Sequence, residues 1–147
     1  MAPQELVTAV AERVKLIVVL VQNHGYASIG SLSESTGSGR FGTKFRYRDD
    51  DGHFEGDLLP VDLAANAASL GARVFNARSV GELRDALKAA RDSDRTVVIH
   101  VETDPTEYVT IGGAWWDVAV AEVSTSEPVR TARADYERNR QHQRPYL

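Results

Sequence analysis

Leu16-Ile17-Val18-Val19-Leu20-Val21 runs directly into Gln22-Asn23-His24-Gly25-Tyr26, and this junction decides the fold. The six apolar residues, four of them β-branched, have the uninterrupted pattern of a strand covered on both faces in a parallel sheet. The polar, glycine-containing turn ends the strand. Open parallel sheets bind ligands just beyond the carboxyl ends of their strands, so residues 22–26 are the first place to look for chemistry.

Working outward, the alternation of elements supports the same sheet. Upstream, Leu6, Val7, Val10 and Val14 keep helical spacing from Pro3 to Arg13, and Pro3 suits a first turn that needs no N–H. Downstream, Val61 to Leu70 reads as a small-residue helix opened by Asp62 and stopped by Gly71. Arg73 to Asn76 is a short strand. Ser79 caps a helix from Val80 to about Arg91, with Glu82 at capping-box spacing and Leu83 and Leu87 as its buried stripe. Thr96 to Val101 is the third strand. Helices between parallel strands imply right-handed crossovers. The fold class is therefore α/β, three-layered, with a mostly parallel sheet that three strands leave thin, so that a partner or further chain is expected to complete it.

Composition narrows the function classes. The chain has 147 residues, 42% hydrophobic and 26% charged, which is the balance of one globular core rather than of a disordered segment. It has no cysteine, so thiolate metal sites and thiol nucleophiles are excluded. A formal net charge of −4 argues against a broad nucleic-acid footprint. The longest apolar run is far below the roughly 20 residues that span a bilayer, and no signal-peptide pattern opens the chain, so a cytoplasmic location is expected.

Two segments break the alternation. Residues 27–59 lose periodicity and are rich in glycine and serine; a loop beyond about 12–15 residues is either functional or disordered. Within it Phe41 to Arg48 alternates aromatic and basic residues, compatible with a short edge strand around Phe45 and Tyr47 or with an RNA contact, the latter opposed by the adjacent Asp49-Asp50-Asp51. The tail carries the apolar stretch Trp115 to Val123, an edge strand or docking segment that favours self-association. It then forms an arginine-rich helix from Val129 to about Gln143, whose surplus reads as a solvated face. His53, His100 and His142 show no ligand spacing and default to solvent or core. The expected organisation is a binding domain over residues 1–105 with the long loop 27–59, and a C-terminal extension over 106–147.

At the turn, the amide oxygen of Asn23 and the main-chain carbonyl of Gly25 are hard oxygen donors of the kind Mg²⁺ or Ca²⁺ accepts. As a bare pattern, Asn-x-Gly after a strand is more often a plain turn. The strand followed by Gln22-Asn23-His24-Gly25-Tyr26, however, resembles the second half of the thiamine-diphosphate motif, a Gly-Asp-Gly followed downstream by a strand ending in Asn-Asn-x-Gly-Tyr. Asp62 to Ala72, Ser79 to Leu87 and Val97 to Pro105 are similar to the rest of that family's diphosphate-binding domain. Asn23 to Gly30, Arg40 to Thr43, Tyr47 to Asp49, Pro60 to Asn66 and Trp115 to Val118 further resemble the branch of the family that hydrolyses trihydroxycyclohexane-1,2-dione in myo-inositol catabolism.

The resemblance implies a thiamine-diphosphate cofactor held by Asn23, His24, Gly25, Tyr26 and Ser28, with Mg²⁺ bound by the Asn23 side chain and the Gly25 carbonyl. It implies no catalytic residue in this chain, a cyclic polyol-dione substrate, and a longer enzyme of which these residues are the C-terminal portion. A homo-oligomer is expected from the thin sheet and the apolar Trp115-Trp116 segment, and no nucleic-acid or membrane partner from the net charge and the short apolar runs. Ser28, Ser31, Ser33 and Arg40 are candidates for diol or phosphate contacts. The sequence departs from the pattern in two places: residues 1–22 contain neither glycine nor aspartate, so the charged metal ligand of Gly-Asp-Gly is not there, and Gln22 stands where the first Asn belongs, a change expected to affect little. The alternative reading is a non-catalytic α/β binding or assembly module that has lost the cofactor.

Overall fold

A computed structural model describes residues 3–105 and 118–143. The chain divides into two compact units. Unit 1 comprises Met1–Asn23 and Pro60–Asp104, and unit 2 His24–Leu59 and Pro105–Leu147.

Unit 1 contains α1 (Glu5–Ala11), β1 (Ile17–Gln22), α3 (Leu63–Ser69), β2 (Arg73–Ala77), α4 (Val80–Asp92) and β3 (Val97–Glu102); α2 (Ala27–Ser35) and α5 (Glu127–Arg140) belong to unit 2. The three strands form a parallel sheet in the order β1-β3-β2, with Val98 of β3 level with Val18 and Val74. The alternation of side chains along each strand sorts the core into two layers. On one face Val97 and Ile99 pack with Ala77 and with Ala86 and Ala90 of α4, flanked by Phe75, Leu83, Leu87 and Val101. On the other Val98 packs with Ala67 of α3 and Ala72, flanked by Val18, Leu20, Val74 and Leu6 of α1. The α/β fold with helices on both sheet faces agrees with the sequence reading.

The strand expected to be covered on both faces is corrected by the sheet order. β1 lies at an edge, and Ile17, Val19 and Val21 are 40%, 44% and 55% exposed because α4 packs chiefly over β2 and β3. β3 takes the central position, where Val97, Val98 and Ile99 are fully buried.

Local chemistry sets the helix ends. The Asp62 carboxylate accepts from the Ala65 N–H at 2.7 Å and Ser79 Oγ from the Glu82 N–H at 3.1 Å. The capping box is modified: Glu82 accepts from the N–H of Arg78 at 2.7 Å, one residue before the cap. α3 ends at Gly71, whose φ of +94° suits glycine, and a Cβ there would press on Val10 of α1 at 3.2 Å. The fully buried Thr96 joins the α1–β1 connection to β3: its hydroxyl donates to the Val14 carbonyl at 2.7 Å and accepts from the Leu16 N–H at 3.3 Å.

Unit 2 corrects the aperiodic loop. Residues 27–35 are a helix, hidden from periodicity because Ile29 and Leu32 remain exposed and Gly30 is its buried position. Beyond it the chain is tied by two isolated antiparallel bridges, Gly25 to Lys44 and Arg46 to Leu58, in place of an edge strand. The apolar Val118–Val123 portion of the tail forms no strand, although Val120 is buried; Trp115 and Trp116 lie outside the described residues. α5 begins two residues earlier than its apolar pattern suggests, since Pro128 sits in its first turn. Arg130, Arg138 and Arg140 pair within the helix, with Glu127, Asp135 and Glu137, as a solvated face would, whereas Arg133 is partly buried and, besides pairing with Glu137, donates to the Val120 carbonyl at 2.7 Å.

Candidate cofactor-anchoring turn

Asn23 is the last residue of unit 1. It follows β1 at the carboxyl end of the parallel sheet and is half-buried. The residue before it is firmly held: the Gln22 carbonyl accepts from the Thr103 N–H at 2.9 Å, and Gln22 Nε2 donates to the Val61 carbonyl at 3.2 Å. Asn23 therefore leaves the sheet from a fixed point.

The other four residues lie in unit 2. His24 has φ +53°, a left-handed conformation rare for a side chain with a Cβ. The bridge between Gly25 and Lys44 is made by flanking groups, the Tyr26 N–H donating to the Thr43 carbonyl at 2.8 Å and the Phe45 N–H to the His24 carbonyl at 2.8 Å. In such a pair the central residue's own N–H and C=O point away from the partner strand. The Gly25 carbonyl is thus directed outward. A Cβ at Gly25 would lie 2.1 Å from the Thr43 oxygen, so the close approach that orients this carbonyl is open only to glycine.

Tyr26 packs edge-on against Phe45, ring centroids 5.6 Å apart, and stands at the N-cap of α2, where no side chain caps the helix. The first intrahelical bond runs from the Gly30 N–H to the Tyr26 carbonyl, which leaves the N–H groups of Ala27, Ser28 and Ile29 as first-turn donors. No acidic residue occupies that turn, and Ser28 is exposed on it. A helix N-terminus with free donors and no opposing charge favours an anion such as phosphate.

Within unit 2 the donors are the Gly25 carbonyl and the first-turn amide N–H groups of α2, all neutral and of a kind that suits part of a diphosphate–magnesium group. Among the described residues no three His, Asp or Glu side chains gather as a metal site. The cavity of about 340 Å³ in unit 1, walled by Leu6, Leu16, Val18, Leu20, Leu63 and Val98, is too apolar to serve a diphosphate.

Other sequence candidates have structural employment. Ser33 donates to the Gly39 carbonyl, and Arg40 pairs with Glu34 and donates to the Pro105 carbonyl. The basic residues of the Phe41–Arg48 run are likewise engaged: Lys44 pairs with Glu55, Arg46 donates to the Gly56 carbonyl, and Arg48 lies over the Phe54 ring at 4.3 Å. Sequence reasoning gives neither His100 nor Gln22 a role at the strand ends. The structure places them in direct contact, Nε2 to Oε1 at 2.7 Å. Their register, Gln22 opposite Glu102 and thus one diagonal step from His100, is the signal, and it becomes readable only once the strand pairing is known.

Residues 1–101 match the thiamine pyrophosphate enzyme family at its C-terminal TPP binding domain. The chain is 36% identical over 147 residues to 3D-(3,5/4)-trihydroxycyclohexane-1,2-dione hydrolase 2 of Bacillus cereus. It is 33% identical over 146 residues to the 3D-(3,5/4)-trihydroxycyclohexane-1,2-dione hydrolase of Clostridium perfringens. Each alignment covers 99% of this chain and 23% of the relative, so the chain spans about a quarter of the length of the curated relatives it matches.

Proposed function

The chain belongs to the thiamine pyrophosphate enzyme family, and from that membership we propose that it supplies the magnesium and diphosphate anchor of a C–C hydrolase that opens trihydroxycyclohexane-1,2-dione in myo-inositol degradation. The observation that carries the proposal is the turn itself: a strand end, an outward glycine carbonyl and an uncapped helix N-terminus follow one another within seven residues, Gln22 to Ser28. Asn23 would offer its side-chain oxygen and Gly25 its carbonyl to Mg²⁺. Ser28 and the first-turn N–H groups of α2 would take a phosphate, and His24 and Tyr26 would frame the turn. The substrate class comes from the names of the relatives. When bound, thiamine diphosphate supplies a carbon nucleophile for a ring ketone, the chemistry by which a cyclic dione is opened with water.

We assign the cofactor role to residues 1–105, including α2 and the loop that follows it to residue 59, and the C-terminal extension to 106–147. The uncovered face of β1 (Ile17, Val19, Val21) supports self-association. The lack of cysteine fits a cytoplasmic setting.

Calorimetric titration of the 147-residue chain with thiamine diphosphate and Mg²⁺ tests the anchor. Weak, Mg²⁺-dependent heat that Asn23→Ala abolishes is expected, without ring opening by the chain alone. Silence at millimolar cofactor rejects the anchor and favours a second reading, a non-catalytic α/β binding or assembly module. The observation on its side is that the turn offers Mg²⁺ only neutral oxygens, those of Asn23 and Gly25, and Mg²⁺ gives up its water reluctantly.

A further inference from the structure

The carboxyl edge of the sheet in unit 1 carries a polar ladder that the hydrophobic core does not require. Asn76 of β2, His100 of β3 and Gln22 of β1 stand in a row: His100 Nδ1 lies 3.0 Å from Asn76 Oδ1, and Nε2 lies 2.7 Å from Gln22 Oε1. Gln22 is only 5% exposed, whereas Val18 and Leu20, below it on the same face of β1, are apolar. A buried amide is costly unless its hydrogen bonds are made. A position that merely filled space would continue the aliphatic pattern.

The ladder has a determinate polarity. The Val61 carbonyl can only accept, so the Gln22 atom facing it is Nε2, at 3.2 Å. That leaves Oε1, also only an acceptor, toward His100. The His100 Nε2 must therefore carry a hydrogen and donate it. The Asn76 amide is exposed and can turn either way to suit Nδ1. Gln22 is held through its backbone by Thr103 and through its side chain by both Val61 and His100, which ties the ends of β1 and β3 to the entry of α3.

The geometry points to Gln22 as the positioning residue of the cofactor turn, with His100 as its strut. Asn23 is the next residue, and Gln22 fixes the point and direction from which it leaves the sheet. The cofactor part of this inference rests on the anchoring role of Asn23 proposed above.

The test uses the ¹⁵N-labelled 147-residue chain. A long-range ¹H–¹⁵N spectrum of the imidazole should show His100 protonated at Nε2, and a neutral Nδ1–H ring would overturn the ladder without any substitution. In His100→Leu, exchange of the Thr103 amide should rise at least about tenfold while Val98 and Ile99 stay protected, and the affinity for thiamine diphosphate with Mg²⁺ should fall roughly fivefold, the worth of one hydrogen bond. His100→Gln, whose Nε2 donor can stand in for the ring Nε2–H, should restore both. Unchanged Thr103 exchange and affinity in His100→Leu, or uniform destabilisation that His100→Gln does not relieve, would reject a positioning role. If the unaltered chain binds no cofactor while Thr103 still responds, the anchor reading fails, and with it the cofactor part of the inference; the clamp on the end of β1 stands.

Discussion

Replacing Gly25 by alanine should unzip one bridge and leave the sheet alone. The added Cβ would sit 2.1 Å from the Thr43 oxygen, 3.1 Å from its carbonyl carbon and 3.2 Å from the Lys44 Cα, all backbone atoms that no rotamer change can move aside. Restoring even the shortest tolerated approach of 3.0 Å requires the two segments to part by about 0.9 Å. The hydrogen bonds from Tyr26 to Thr43 and from Phe45 to His24, both 2.8 Å, would then stretch to about 3.7 Å and be lost. Two net hydrogen bonds are worth about 1–3 kcal/mol, and the stiffer unfolded chain returns about 0.4–1 kcal/mol, leaving a loss of about 1–2 kcal/mol. Urea unfolding measures that loss, and amide exchange locates it at Tyr26 and Phe45, with Val97 to Ile99 unaffected. If Tyr26 and Phe45 in Gly25→Ala exchange as slowly as in the unaltered chain, the close-approach account of this turn is wrong.

Other substitutions probe the frame that carries the turn. Ile99→Ala should cost about 2–5 kcal/mol in chemical denaturation, whereas Val19→Ala, its half-exposed neighbour in register on β1, should cost under about 1 kcal/mol. Equal losses would mean that β1 is not an uncovered edge. Thr96→Val keeps the volume but strands the Val14 carbonyl and the Leu16 N–H, so about 1–3 kcal/mol should be lost, with faster Leu16 amide exchange. Ser79→Ala removes the cap of α4 and should cost about 1 kcal/mol, seen as a lower urea midpoint at constant m-value.

The elements of unit 1 are legible because their signals are local. Asp62 and Ser79 announce helix starts through side-chain oxygens that reach an N–H three residues on, and Gly71 marks a stop by its left-handed backbone. The run at 16–21 and the run at 97–101, broken only by His100, declare strands by their β-branched content. α2 escapes sequence reasoning for the complementary reason: Ala27-Ser28-Ile29-Gly30-Ser31 has little helical propensity and no apolar stripe, since its buried position is the glycine packed against Thr43.

The turn residues can be named from sequence because asparagine and glycine carry recognisable oxygen donors at a strand end. Their orientation is not readable there. It depends on Thr43 and Lys44, nearly twenty residues away, closing on Gly25. In the same way, two runs of similar composition promise two similar strands, yet one is the buried centre of the sheet and the other its open edge. Composition fixes the tendency of a segment to extend and to shed water, a property of its own side chains. Which neighbours remove that water, and which polar groups meet at the ends of the strands, as Gln22 meets His100, is settled by strand order and register, which belong to the folded chain as a whole.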